Sequence, residues 1–142
     1  MDKSPHNQHK VESLSTQSTL LTAEDLCKQS DDGYRYELVK GEIRRTSMTG
    51  FEHGILSVII GSLLDKHIEM HRLGSVCSAG TGFKIAQNPD TVRAPAGAFV
   101  RQSAIEEKGI PKGYWEGAPD LAVEVISPSE PILRLQKRWM NG

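Results

Sequence analysis

Ala118-Pro119-Asp120-Leu121-Ala122-Val123-Glu124-Val125-Ile126-Ser127-Pro128-Ser129 decides how this chain is read. By the two-residue period of an extended chain, Leu121, Val123 and Val125 share one face. Asp120, Ala122, Glu124 and Ile126 share the other. β-Branched residues dominate the run and prolines bracket it, which is the composition of a strand. A strand this apolar is usually covered on both faces. Glu124 therefore stands where a carboxylate is costly unless it pairs with a base or holds a metal ion. A glutamate satisfied by Arg or Lys, or a plain edge strand, gives the same pattern.

On the C-terminal side, Ser127-Pro128-Ser129 can cap a helix, and Ile132 to Met140 reads as that helix, with Arg134, Lys137 and Arg138 on two turns. On the N-terminal side, Arg101 to Gly117 reads as a long polar loop containing Pro111, Gly113, Gly117 and the pair Tyr114-Trp115. Such a pair can stack on a base, but packing over a sheet edge is commoner. Before it, Thr91-Val92-Arg93-Ala94-Pro95 leads into a strand, Ala96 to Val100.

Further back, Ser75 to Ser78 and Gly82 to Ala86 read as short strands, and Asn88-Pro89-Asp90 as a turn. Gly80-Thr81-Gly82 is no phosphate loop, because neither Lys-Ser/Thr nor a helix follows. The longest helix is expected over Phe51 to His71, closed by Leu73-Gly74. Ile55, Leu56, Ile59, Ile60, Leu63 and Leu64 form its apolar stripe, and Ser57 and Gly61 would allow close approach to a sheet. His67 and His71 have zinc-ligand spacing, but Ile68 stands where a metalloprotease motif needs Glu, and no third ligand is evident. His53, at the helix start, is a functional candidate that capping or packing would also explain.

Tyr34 to Val39 and Glu42 to Thr46 read as a hairpin turning at Lys40-Gly41. Glu37 and Glu42 are candidate acids; a solvent-facing strand residue is the plainer reading of Glu42, while Glu37 divides evenly between the two readings. Thr22-Ala23-Glu24-Asp25 opens a short helix ending near Ser30, with Thr22 as N-cap and Asp25 at the capping-box position. Residues 1–19 carry little besides Val11 and Leu14 that could be buried, and read as a disordered tail before a domain over 20–142.

Composition limits the function classes. A length of 142 residues, 37% hydrophobic and 25% charged, fits one soluble domain. A net charge of −1 advertises no general nucleic-acid binder, although acidic metal sites can cancel a basic groove. Cys27 and Cys77 lie far apart and suggest free thiols of a reducing compartment. With no leader-like start and no apolar run long enough to span a bilayer, the expected location is cytoplasmic, with no membrane contact.

Read together, Tyr36-Glu37-Leu38-Val39-Lys40-Gly41-Glu42, Phe51-Glu52-His53-Gly54, Thr81-Gly82-Phe83, Val92-Arg93-Ala94-Pro95, Ala98-Phe99-Val100 and Ala118 to Ser129 resemble one family. It is the family of small putative restriction endonucleases within the PD-(D/E)XK nuclease superfamily, and the resemblance covers about Leu20 to Ser129. It implies an α/β fold: a restriction-endonuclease-like core with a mixed central sheet flanked by helices. It also implies a Mg²⁺-dependent DNA endonuclease, with a homodimer suggested by the need to cut two strands. A divalent ion on hard oxygen ligands would neutralise the phosphate and generate the nucleophile, and a Lys would steady the attacking water.

Carried onto this chain, the resemblance makes Glu124 the second metal carboxylate and the Val125 carbonyl a further ligand. Lys137, or Arg138 beside it, takes the place of the lysine, since Ile126 occupies the position two after Glu124. Lys137 is preferred because Arg stays protonated. Glu37 matches an early acid that serves as an outer metal or water ligand. Two departures stand out. The family reads Arg-Ala-Pro-Asp where this chain has Arg93-Ala94-Pro95-Ala96, so the first metal carboxylate is replaced by a methyl group. Asp120 lies roughly 13 Å along the strand from Glu124, too far to share an ion, and Asp90 is in the preceding turn. The family also continues with further strands, so the expected domain is C-terminally truncated. The chain is therefore read either as an endonuclease or as a catalytically silent remnant that binds nucleic acid or a partner.

Overall fold

The computed structural model describes residues 19–29, 32–46 and 49–126. The expected tail over residues 1–19 lies almost wholly outside them. So do Ser127 to Ser129 and the expected helix with Arg134, Lys137 and Arg138.

The short helix α1 (Ala23–Cys27) starts where the sequence places it. Thr22 Oγ1 accepts from the Asp25 N–H at 3.2 Å, and Asp25 Oδ2 accepts from the Thr22 N–H at 2.9 Å, closing a capping box. Strands β1 (Arg35–Val39) and β2 (Glu42–Thr46) form the expected hairpin, with Val39 opposite Glu42. Its two loop residues, Lys40 and Gly41, have φ of 52° and 77°, the left-handed pair that matches the strand twist. A Cβ on Gly41 would also sit 2.7 Å from Leu20 Cβ, so glycine is needed there twice over.

Helix α2 (Phe51–His71) has the bounds expected of it. It stops on Arg72, which adopts φ of 51°, and not on a glycine; Gly74 instead opens the next strand against Val100 and Arg101. The helix packs on β3 (Gly74–Ser78). The expected apolar stripe does not face inward. Ile55, Leu56, Ile59, Ile60 and Leu63 are exposed, and the inner side is His53, Gly54, Ser57, Gly61, Leu64 and Ile68. A Cβ on Gly61 would meet nothing within 4 Å, so the approach is not close enough to require small residues.

Strands β4 (Phe83–Ala86), β5 (Thr91–Arg93) and β6 (Gly97–Arg101) follow. The segment expected to be a loop then holds α3 (Gln102–Lys108) and the two-residue strand β7 (Trp115–Glu116). Its residues Gln102 to Lys108 are adequate helix formers, and Ala104 and Ile105 pack on the sheet, which outweighs the segment's polar look. Strand β8 (Leu121–Val123) closes the described fold.

The architecture is mixed α/β, as expected. One sheet has the order β2-β1-β5-β4-β7, with β4 and β7 parallel, and a second has the order β3-β6-β8. The chain passes from the first to the second through Ala94, Pro95 and Ala96. Two apolar clusters fill the interior. Leu38 and Val92 join Ala23 and Leu26 under α1, while Phe83, Ala98 and Val100 bring the two sheets together with Trp115 and Ile105. Tyr114 and Trp115 pack on these clusters, and a Cβ on Gly82 would overlap the Tyr114 ring. Burial, with the nearby Cys27 thiol, pushes Tyr114 up to about 12, so the phenol stays neutral. Among the described residues no helix is long and apolar enough to cross a membrane.

Asp90 holds the hairpin and α1 together. Its Oδ2 accepts from the Ala23 N–H at 2.9 Å and lies 3.4 Å from Lys84 Nζ, while its carbonyl accepts from the Gly41 N–H at 2.8 Å. The Ala23 hydrogen bond and then Lys84 hold its pKa below the ordinary 3.8 despite some opposing desolvation. A depressed carboxylate contributes stability that is complete above its unfolded pKa and lost as pH falls through the folded one. Asp90→Asn is therefore expected to cost about 1–2 kcal/mol in urea denaturation at neutral pH, with the gap constant above about pH 5 and closing in acid. A gap that widened in acid would assign the effect to another group.

Candidate functional site

Strands β6 and β8 run antiparallel, pairing Phe99 with Leu121, Ala98 with Ala122 and Gly97 with Val123. The paired stretch ends there, and Ala96 and Glu124 each lie one residue beyond it, with a bend in the chain at Ala96. The row behind them is small: Ala98 and Ala122 lie on the same face, and Cys77 faces Ala98 from β3. Burial pushes the Cys77 thiol up, so it remains a protonated apolar filler.

The expectation that β8 is covered on both faces does not hold. Among the described residues it pairs only with β6, and Leu121 and Ile126 are exposed. Among the described residues it is an edge strand of the second sheet, and Glu124, one residue beyond it, is half-buried. Val125 follows directly. Lys137 and Arg138 lie outside the described residues.

Glu37 sits on β1 in the other sheet and is 4% exposed. Its Oε2 accepts from Arg93 Nη1 at 3.1 Å and its Oε1 accepts from the Ala94 N–H at 3.1 Å. Arg93 is itself 3% exposed. Glu37 therefore grips the first two residues of Arg93-Ala94-Pro95-Ala96, the segment that delivers position 96 to Glu124. Sequence reasoning singled out Glu37 but not Arg93. The available signal was a charged residue inside the short β-branched run Thr91-Val92-Arg93, whose partner lies 56 residues away.

The other candidates are accounted for locally. Glu42 is exposed. Both Asp120 oxygens accept from Arg101, one from its backbone N–H and one from Nη1, each at 2.9 Å. His53 is half-buried in the first turn of α2, where its carbonyl accepts from Ser57 Oγ at 2.8 Å. His67 and His71 are exposed with ring centroids 4.3 Å apart, and the His71 Nδ1–H donates to the His67 carbonyl at 2.8 Å.

The donor set decides what the site can hold. Glu124 offers a carboxylate and Val125 a carbonyl, while Ala96 offers no oxygen. Among the described residues no three His, Cys, Asp or Glu side chains converge as a metal cluster does. Among the described residues, these groups would supply only part of the octahedral oxygen shell of Mg²⁺, leaving the rest to water and substrate oxygens.

Ala96 and Glu124 thus adjoin neighbouring antiparallel strands of the second sheet, within a fold that is mixed α/β as a whole. The family described as Uma2, putative restriction endonuclease, matches residues 22–140, and the chain belongs to that family. Among solved structures, the fold is similar to that of a putative nuclease belonging to DUF820 from Anabaena variabilis ATCC 29413, at a TM-score of 0.66 and 17% identity. That match covers 84% of this chain and 66% of the other, so this chain spans a little under two thirds of its length. No curated protein matches the sequence.

Removing the Glu37 carboxylate leaves a buried guanidinium without that counter-charge. Glu37→Ala is expected to lose about 3–5 kcal/mol in urea denaturation. Glu42→Ala, on the exposed side of the same hairpin, is expected to stay within about 0.5 kcal/mol. Equal losses for the two would remove Glu37 from this role.

Proposed function

We propose that this chain keeps the scaffold of a Mg²⁺-dependent DNA endonuclease but is catalytically silent because alanine stands at position 96. What supports this reading is that Ala96 and Glu124 each lie one residue beyond the paired Gly97 and Val123. Phosphodiester hydrolysis needs negative charge neutralised and a nucleophile generated near neutral pH, which a well-held divalent ion supplies. One carboxylate and one carbonyl hold such an ion poorly. In an active relative of this design, Glu124 and the Val125 carbonyl would hold the ion with the missing acid, and Lys137 would steady the attacking water. Glu37 would act through the Arg93-Ala94 segment, setting where position 96 lies. What remains here is a fold suited to binding nucleic acid or a second copy of itself in the cytoplasm.

Plasmid nicking in Mg²⁺ or Mn²⁺ tests this reading. The native chain is expected to leave supercoiled DNA intact. Ala96→Asp is expected to nick it at least about 100-fold faster, and adding Glu124→Ala to that variant should abolish the gain. Nicking by the native chain that Glu124→Ala stops would establish it as an active endonuclease with another group in place of the lost acid. A folded Ala96→Asp variant that never cuts would overturn the site assignment.

A further inference from the structure

His67 and His71, near the C-terminal end of α2, serve neither the Glu124 site nor the packing of the fold. Both are exposed. Their ring centroids lie 4.3 Å apart and the rings are tilted by 38°. The His71 Nδ1–H donates to the His67 carbonyl at 2.8 Å. That bond settles the tautomer. A neutral His71 with its proton on Nδ1 carries its lone pair on Nε2, across the ring from the helix backbone. Metal-binding histidines are commonly set up in this way, with the second ring nitrogen donating to a carbonyl. The His67 ring makes no hydrogen bond to another described residue, so it has a ring nitrogen to offer beside the Nε2 of His71.

The geometry selects among ions. An imidazole lone pair lies in the ring plane, so two parallel rings stacked face to face cannot both aim at one point, whereas tilted rings can. Two imidazoles on one ion at about 2.0–2.1 Å have ring centres roughly 4.5 Å apart at the right angle of a tetragonal ion, and roughly 5.2 Å apart at a tetrahedral angle. The observed separation is close to the first and well short of the second. Small rotations of two exposed side chains close the remaining gap to the first. Zinc, which the four-residue spacing suggests first, is therefore the poorer fit, and among the described residues no third ligand stands by. Cu²⁺ and Ni²⁺ combine tetragonal geometry with a preference for imidazole nitrogen. The place also favours a cation, since His71 is in the last turn of α2, where the helix dipole presents its negative end.

We propose that His67 and His71 form a two-imidazole site for a tetragonal divalent metal ion, Cu²⁺ in preference to Ni²⁺, at the C-terminal end of α2. The site shares no residue with the Glu124 site and does not depend on whether the chain cleaves DNA.

Titration of the full chain with Cu²⁺, followed by calorimetry and by electron paramagnetic resonance, tests the site. His6 and His9 can bind copper too, so the His6→Gln/His9→Gln variant is titrated beside the native chain. That variant is expected to bind one Cu²⁺, with the hyperfine pattern of two imidazole nitrogens. Adding His67→Gln or His71→Gln should weaken binding at least ~10-fold, because a chelate becomes a single ligand. The order of affinity should be Cu²⁺, then Ni²⁺, then Zn²⁺, since only the tetrahedral ion needs the rings moved well apart. Circular dichroism confirms that each exposed substitution leaves the helix intact. Copper binding that survives both His67→Gln and His71→Gln overturns the proposal, and so does binding that disappears with His6 and His9. Binding only at millimolar copper, a spectrum with one coordinated imidazole, or Zn²⁺ held more tightly than Ni²⁺ overturns it as well.

Discussion

The interaction on which the rest depends is the buried pair of Glu37 and Arg93. It ties β1 to the end of β5 at the point where the chain leaves the first sheet, and the second oxygen of Glu37 fixes the next backbone N–H, that of Ala94. Three residues later the chain is already a strand of the second sheet. With so short a crossing, the direction of β6 is set at its first residues, and the register with β8 follows from it. The carboxylate and guanidinium are too deep for the pair to be surface decoration. A pair of this kind adds little net stability over an apolar substitute, but it is intolerant of losing one member. Its contribution is to fix one geometry, which a crossing without a helix or a long turn otherwise lacks.

That constraint gives position 96 its meaning. The scaffold spends a buried ion pair to hold a segment in place, and the residue delivered is an alanine. The surrounding row, Ala98, Ala122 and Cys77, offers no oxygen to compensate, and Asp120 and Asp90 are engaged by Arg101 and by Ala23 and Lys84. The buried pair and Glu124 are thus present beside an alanine, and it is this combination that the proposed reading of a silent nuclease frame takes up.

What could be read in the sequence was what is local. The capping box at Thr22 and Asp25, the Lys40-Gly41 turn and the bounds of α2 each depend on residues within four positions of one another, and each appears as expected. What could not be read depends on partners far along the chain. The 101–117 segment looked like a loop because its helix is seven residues long and gains its order from packing Ala104 and Ile105 on the sheet. β8 looked buried because its sequence is apolar, yet burial is decided by which strands flank it. Arg93 is recognisable as structural only once β1 and β5 are known to be neighbours. The resemblance to restriction endonucleases supplied the two-strand logic of the site, and Ala96 and Glu124 each lie one residue beyond the paired Gly97 and Val123.

The α2 stripe shows the same limit from the other side. Periodicity correctly found a helix with an apolar face, and a face of that kind is ordinarily turned to the core. Here the inner side instead carries His53, Ser57 and Gly61 with Leu64 and Ile68, a mixed and lightly packed surface. Inferring the buried side from spacing assumes a single apolar direction. α2 is apolar over most of its circumference and so does not by itself say which side faces inward.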